Sequence, residues 1–157
     1  MTSEPVLIIG VGNPDRGDDG AGRKVIELLR DRLARTLPQD GLELAEHSGE
    51  TTSLVEAFAG REYVAIIDAA SSGDALGTYR RFEAADGPLP ADLGETSSHG
   101  FGVAQAIELA RALGSLPERC QVYAIEGAIF DMGASLSPAV LQAAEDVAAD
   151  ITRQIDA

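Results

Sequence analysis

The sequence predicts an α/β protein with three layers, in which a twisted, mainly parallel five-stranded sheet is flanked by helices. A continuous apolar segment at 6–12 and a mostly apolar one at 62–70 are typical of strands that are buried on both faces. Segments with apolar residues at helical spacing lie between the predicted strands, as expected when crossover helices join parallel strands. Trp is absent and aromatic residues make up only 4% of the chain, so the core must consist mainly of small aliphatic side chains.

The first half of the chain begins with the strand at 6–12, which a polar loop, NPDRGDDG, follows. Apolar residues then recur on one stripe of an amphipathic helix over 20–36, which Pro38 cannot continue. Alternating apolar and polar residues predict an edge strand at 42–47, and a short helix is expected at 51–59. The buried strand at 62–70 completes this half.

The second half contains two more strands and two longer helices. The predicted elements are a strand at 77–83, a loop at 84–98, a helix from about 98 to 113, a strand at 119–128 and a helix from 138 to the C-terminus. Ser97 or Ser98 can cap the first of these helices, and Gly114 can end it. Ser137 before Pro138 is a cap followed by proline at the first helical position.

Composition and charge exclude several classes of function. The chain has 157 residues, suits one domain over 1–157, and carries a formal charge of −14. Such a surface repels nucleic acid and anionic membranes, so the expected partner is neutral, cationic or metal-bearing. A monomer is the expected state. The single cysteine, Cys120, cannot form an internal disulfide, and the apolar run at 6–11 is too short for a signal core or a membrane span. The expected location is the cytoplasm.

The first loop, from Gly10 to Gly20, concentrates acidic residues beside glycines. A dinucleotide site is disfavoured, because Asp15 stands where the fingerprint needs its third glycine and a pyrophosphate would meet several carboxylates. Asp18 or Asp19 can cap the following helix and complement its dipole. One carboxylate suffices for that, so the pair favours a bound cation. Asp18 is interpreted equally well as a cap or a ligand, whereas Asp19 is interpreted as a ligand.

Asp68 and His99 are the other candidates for chemistry. Asp68 ends an apolar strand segment, so it should lie at the carboxyl edge of the sheet, close to the first loop if the two strands pair. His99 lies at a predicted helix N-terminus, whose dipole disfavours imidazolium, and a neutral imidazole can bind nickel or zinc. Either residue can instead have a purely structural role. The second histidine, His47, ends an edge-like strand and is interpreted as a surface residue.

Familiar hydrolase motifs are missing. The sequence has no HExxH helix and no GxSxG elbow, and Cys120 in a predicted strand is a poor nucleophile. A peptidase of this sequence would need a metal, a metal carried by its substrate, or a water activated by a carboxylate.

The segment VLIIGVGNPDRGDDGAG resembles the opening of nickel–iron hydrogenase maturation proteases. The resemblance continues in order with IIDAASSG, SSHGFG and AIEGAIFDMGASLSPAV, and so covers essentially the whole chain. It implies a phosphorylase/hydrolase-like fold and an endopeptidase that removes the C-terminal extension of a hydrogenase large-subunit precursor after nickel insertion. The family's nickel-contacting residues correspond to Asp19, Asp68 and His99, which are therefore the expected catalytic and metal-binding residues.

The resemblance implies that the precursor presents the nickel as a recognition signal, and another divalent ion in its place is the alternative expectation. The backbone of Gly10, Gly12 and Asn13 is expected to shape the loop so that its amides face the substrate. Asp18 is expected to support the helix cap or to contact the metal-ligand residues without binding the metal itself. Two departures concern substrate binding: Glu126-Gly127 replaces the common Glu-Pro, and 47–50 only loosely matches a glycine-rich segment.

Two alternatives remain open from the residues. GVGNPDR also resembles the start of peptidyl-tRNA hydrolases, but positions 14–22 contain no His and the charge of −14 is unsuited to a tRNA groove. A non-catalytic metal-binding module for hydrogenase assembly is the other alternative, because the sequence shows no conventional nucleophile.

Overall fold

The computed structural model describes residues 4–34, 41–90 and 100–156, and within them five strands form one sheet. The strands are β1 (Val6–Val11), β2 (Leu42–His47), β3 (Tyr63–Ala70), β4 (Tyr79–Glu83) and β5 (Arg119–Glu126). The helices are α1 (Ala21–Ala34), α2 (Thr51–Phe58), α3 (Gly100–Leu113) and α4 (Pro138–Asp156). All the predicted strands and helices are present, with bounds that differ from the expected ones by only a few residues.

The sheet has the strand order β2-β1-β3-β5-β4. β1 pairs in parallel with both β2 and β3, and β3 pairs in parallel with β5, whereas β4 is antiparallel to β5. The predicted edge strand therefore lies at one edge of the sheet, as β2, and the antiparallel strand β4 lies at the other. A mainly parallel sheet of this kind is the predicted fold class.

Helices cover both faces of the sheet, which gives the three layers. On one face α1 and α4 pack against side chains such as Ile8 and Ile67, and on the other α2 and α3 pack against side chains such as Ile9 and Ile66. Successive residues of a strand point to opposite faces, so a central strand that is covered on both sides must be apolar throughout. That is why 6–12 is a continuous apolar run and 62–70 is mostly apolar.

Two glycines allow α1 to approach the sheet closely. A Cβ on Gly22 would lie 2.6 Å from the carbonyl oxygen of Val11 and would overlap that of Ile67. A Cβ on Gly10 would overlap the carbonyl oxygen of Gly22. Because both positions lack a side chain, the start of the helix rests directly on β1 and β3.

The helical connections that follow β1 and β2 run in opposite directions across the sheet. The chain leaves β1 through α1 to reach β2 on one side, then returns through α2, on the opposite face, to β3 on the other side of β1. The carboxyl ends of β1 and β3 therefore flank a topological switch point, where ligands bind in open α/β sheets.

Several predictions fall on residues 91–99, which lie outside the described residues. They include the cap by Ser97 or Ser98 and the position of His99. The helix that follows begins at Gly100, and it ends as predicted, because Gly114 adopts a left-handed conformation with φ of +75°. Within the described ranges, no helix is both long and apolar enough to cross a membrane.

Candidate active site at the carboxyl edge of the sheet

Asp68 is a buried carboxylic acid in a central strand. Only 5% of the residue is exposed, and one carboxylate oxygen accepts a hydrogen bond from the amide of Ala69 at 2.8 Å. The strand continues to Ala70, the predicted end, so Asp68 closes its apolar part without being its last residue. Alternation along β3 places its side chain on the same face as Ile66, the face that α3 covers. The acid therefore points towards the side on which α3 begins.

The surroundings of Asp68 favour its protonated form. Burial removes the carboxylate from water and raises the pKa of Asp68 from 3.8 to about 8. The hydrogen bond from Ala69 opposes this shift, and the negative charge of Asp19 adds to it. Asp19 and Asp68 thus interact electrostatically at the switch point, as the sequence analysis expected for two carboxylates at this edge.

Asp19 lies in a short 3-10 turn, Gly17–Gly20, that separates the first loop from α1. The residue is fully buried, and its Oδ2 accepts a hydrogen bond from the amide of Asn13 at 3.0 Å. Gly12 has φ of +137°, and a Cβ there would overlap the carbonyl oxygen of Asp19. The loop is therefore wrapped around Asp19 in a way that only glycine at position 12 permits.

The expectation that the loop's amides face a substrate is wrong for Gly12 and Asn13. The amide of Gly12 donates to the carbonyl oxygen of His47 at 3.1 Å, and the amide of Asn13 donates to Asp19. The side-chain oxygen of Asn13 accepts from the amide of Asp15 at 2.9 Å, which closes an Asx turn. These two amides and the Asn13 side chain therefore hold the loop in its own conformation. At the end of a parallel strand that lies beside another strand, the last backbone amides are close to hydrogen-bond acceptors within the protein.

The predicted helix-capping role of Asp18 is also wrong. Its fully buried carboxylate instead accepts hydrogen bonds from the amides of Ala128, Ile129 and Ser137, at 2.8 to 3.0 Å, and from the Ser137 hydroxyl at 2.9 Å. Burial alone would raise the pKa of Asp18, but these four donors outweigh it and the pKa is lowered. Asp18 therefore fastens the first loop to the segment between β5 and α4.

Glu126 is a buried acid whose role the sequence analysis missed. Only 5% of it is exposed, and its carboxylate accepts from the amide and hydroxyl of Ser72, at 2.9 and 2.7 Å, and from the amide of Gly73. It thereby fixes the loop that follows β3. The same signal that singled out Asp68, an acid near the end of an apolar strand, was present in the AIE of β5.

His47 is more constrained than a surface residue. Its Nδ1 accepts a hydrogen bond from the amide of Gly49 at 2.9 Å, which leaves the proton of the neutral ring on Nε2. Burial lowers the pKa of His47, with Arg23 adding to the effect and Glu50 opposing it. His47 is thus half-buried at the end of β2, where it shapes the turn into α2.

The third expected ligand, His99, lies outside the described residues. Of the residues that are described, no three His, Cys, Asp or Glu side chains form a cluster that could hold a metal. The meeting of Asp19, Asp68 and His99 therefore stays a prediction. The described part of the site is a pair of buried, electrostatically coupled carboxylic acids, which can bind a divalent cation or exchange a proton.

Comparison with known proteins identifies the family. A family model described as hydrogenase maturation protease (HycI) matches residues 27–154. Hydrogenase expression/formation protein HupD of Thiocapsa roseopersicina is 27% identical over 144 residues, which are 89% of this chain and 63% of HupD. HoxM of Azotobacter vinelandii is 29% identical over 139 residues, 87% of this chain and 65% of HoxM. The chain thus spans less than two thirds of the length of these two relatives.

Solved structures show the same fold. The hydrogenase maturating endopeptidase HybD from E. coli has a TM-score of 0.80 at 21% identity, with 99% of this chain and 93% of HybD covered. HybD from Thermococcus kodakarensis has a TM-score of 0.67 at 25% identity, with 99% of each chain covered. The fold is shared along essentially the full length, and the family model covers most of the chain. The chain belongs to the hydrogenase maturation protease family.

Proposed function

We propose that this protein is an endopeptidase that removes the C-terminal extension of a nickel–iron hydrogenase large-subunit precursor after nickel insertion. The observation that carries the proposal is the buried pair Asp19 and Asp68 at the switch point of a sheet belonging to the hydrogenase maturation protease family. The negative charge of Asp19 contributes to the raised pKa of Asp68, so the two carboxylates repel each other when both are ionised. A cation brought by a substrate would offset their repulsion.

The nickel of the precursor is such a cation, and we infer that it belongs to the substrate. Asp19, Asp68 and His99 would contact it, with the imidazole supplying the nitrogen ligand that nickel favours over carboxylate oxygen alone. Because burial keeps a proton on Asp68 at neutral pH, docking of the metal would displace that proton. Another divalent ion could occupy the same ligands in place of nickel.

The same acids would also serve the hydrolysis. Asp19 is held rigidly by the loop around Gly12 and Asn13, so its carboxylate has a fixed position relative to a docked metal. A carboxylate released from metal contact can accept a proton from water as the water attacks the scissile carbonyl, and the polarising metal lowers the barrier to that attack. Asp19, Asp68 and His99 are accordingly proposed as the catalytic residues.

The remaining aspects of the proposal concern setting and partners. The precursor is the proposed partner, the cytoplasm is the proposed compartment and a monomer is the proposed state. The peptidyl-tRNA hydrolase alternative loses its support, because the chain belongs to the maturation protease family. The non-catalytic assembly module is separated from a peptidase by experiment.

The test is to incubate the purified protein with nickel-loaded precursor and to follow the mass of the large subunit. Loss of the C-terminal extension supports a peptidase. An unchanged mass, under conditions in which an established maturation system cleaves the same precursor, would favour the non-catalytic module. A parallel incubation with nickel-free precursor should give no cleavage, and equal rates with both precursors would contradict recognition through nickel.

A further inference from the structure

We infer that the loop after β5 forms a docking surface for the precursor, made of Ile129 and Met132 with the flanking acids Asp15 and Asp131. This inference rests on the proposed function and names the surface through which the substrate would be held. The expected partner is a segment of the precursor with apolar side chains and neighbouring Lys or Arg residues.

This surface exposes two large apolar side chains. Met132 is 69% exposed and Ile129 is 46% exposed, although both lie in a chain whose other large apolar side chains mostly form the core. Met is a flexible side chain that adapts to partners of varied shape and is common at binding surfaces. Exposing the apolar side chains of Ile129 and Met132 on one short loop costs solvation free energy, which a bound partner would recover.

The exposure does not result from a loosely held loop. The amide of Asp18 donates to the carbonyl oxygen of Ile129 at 2.7 Å, and the amide of Ile129 donates back to the Asp18 carboxylate at 3.0 Å. At the other end, the amide of Gly133 donates to the carbonyl oxygen of Asp15 at 2.7 Å. The four residues 129–132 are thus presented between two fixed points, which lowers the entropic cost of binding.

The surface is hydrogen-bonded to the first loop of the proposed active site. Both fixed points belong to the loop that carries Asp19, and Asp18 is its immediate neighbour in the chain. A chain segment bound on the exposed loop would therefore lie beside the first loop, which carries Asp19.

The negative charge of this surface favours a basic partner. Asp15 and Asp131 are both exposed beside the apolar pair, and the whole chain carries −14. Opposite charges on a partner would speed its encounter and fix its orientation, whereas an acidic partner would be repelled. A second copy of this chain carries the same acids at the same place, so self-association through this surface is electrostatically disfavoured.

The test compares Met132→Ser with Leu113→Ser, a matched control. Leu113 is 65% exposed, close to the value for Met132, but it lies at the end of α3 beside Gly114, away from the first loop. We expect Met132→Ser to weaken the binding of nickel-loaded precursor about tenfold, while Leu113→Ser leaves it unchanged. Asp131→Asn should weaken binding less and should reduce its dependence on salt.

Binding is measured by calorimetry whether or not the wild-type protein cleaves, so the two proposals can fail separately. Absence of cleavage by the wild type would contradict the proposed function but would leave the docking surface untouched. Equal dissociation constants for Met132→Ser, Leu113→Ser and the wild type would overturn the docking surface, and so would tighter binding at high salt. Sedimentation of the wild type as a dimer that Met132→Ser dissociates would assign the surface to a second copy and would likewise overturn the inference.

Discussion

The carboxylate of Asp18 and the residue Ser137, 119 positions apart in the sequence, are joined by two hydrogen bonds. The amide of Ser137 donates at 2.8 Å and its hydroxyl donates at 2.9 Å, and both groups are buried. Since Ser137 immediately precedes α4, this contact fixes the start of that helix relative to the first loop. The position of Asp19 therefore depends on a helix near the other end of the chain.

We predict that Asp18→Asn lowers the free energy of unfolding by about 3 kcal/mol, because the amide group replaces one acceptor oxygen by a donor that faces buried N–H groups. Ser137→Ala, which removes only the hydroxyl donor, should cost about 1 kcal/mol. Urea unfolding measures both. The pKa of Asp18 is lowered in the folded protein, so the difference between wild type and Asp18→Asn should shrink as pH falls below 3.8. Equal losses for the two variants would contradict this account.

A second prediction concerns Asp68 and pH. The pKa of Asp68 is 3.8 in the unfolded chain and about 8 in the folded protein, so between these values the folded state binds one proton more than the unfolded state. The Asp68 contribution to stability is therefore fully present below pH 3.8 and is lost as pH rises, by about 1.4 kcal/mol per pH unit.

Asp68→Asn removes that titration, so the stability of this variant relative to wild type should increase from about pH 4 to about pH 8 and then level off. Urea unfolding of the two proteins at a series of pH values measures the difference. A difference that does not change with pH would show that Asp68 titrates normally.

For cleavage, we predict that Asp19→Asn lowers kcat/KM for nickel-loaded precursor by at least about a hundredfold, since a carboxylate that contacts the reacting metal is lost. The matched control is Asp31→Asn, which removes the same charge from an exposed position of α1. Rates are followed by the mass of the large subunit. Similar rates for the two variants would place the chemistry elsewhere.

Gly12→Ala tests the loop that holds Asp19. Its new Cβ would overlap the carbonyl oxygen of Asp19 at φ of +137°, whereas Gly60→Ala, at φ of +78°, would place its Cβ in open space. Both variants incur the cost of a left-handed alanine, about 1 kcal/mol, and Gly12→Ala should cost about 1 to 3 kcal/mol more. Thermal or urea unfolding measures this excess, and its absence would mean that the loop can move away from Asp19 without cost.

The fold could be predicted from the sequence to within a few residues at most element ends. Central parallel strands such as β3 must be apolar on both faces, and helices that cover them must carry one apolar stripe, so the periodicity itself encodes the layers. The acid in β3 was recognisable for the same reason, since a carboxylate within an apolar strand needs an explanation. Glu126 carried the same signal, but its hydrogen bonds to the loop after β3 could not be inferred.

The sequence by itself determined the fold class and the family resemblance and singled out the acids Asp19 and Asp68 as candidates, because these follow from local patterns along the chain. Only the tertiary structure decided what each acid contacts. Asp18 and Asp19 are adjacent in sequence and look equivalent there, yet one binds amides near α4 and the other binds the amide of Asn13 and influences Asp68. Successive residues of a turn point in different directions, and which groups they meet depends on how distant segments pack.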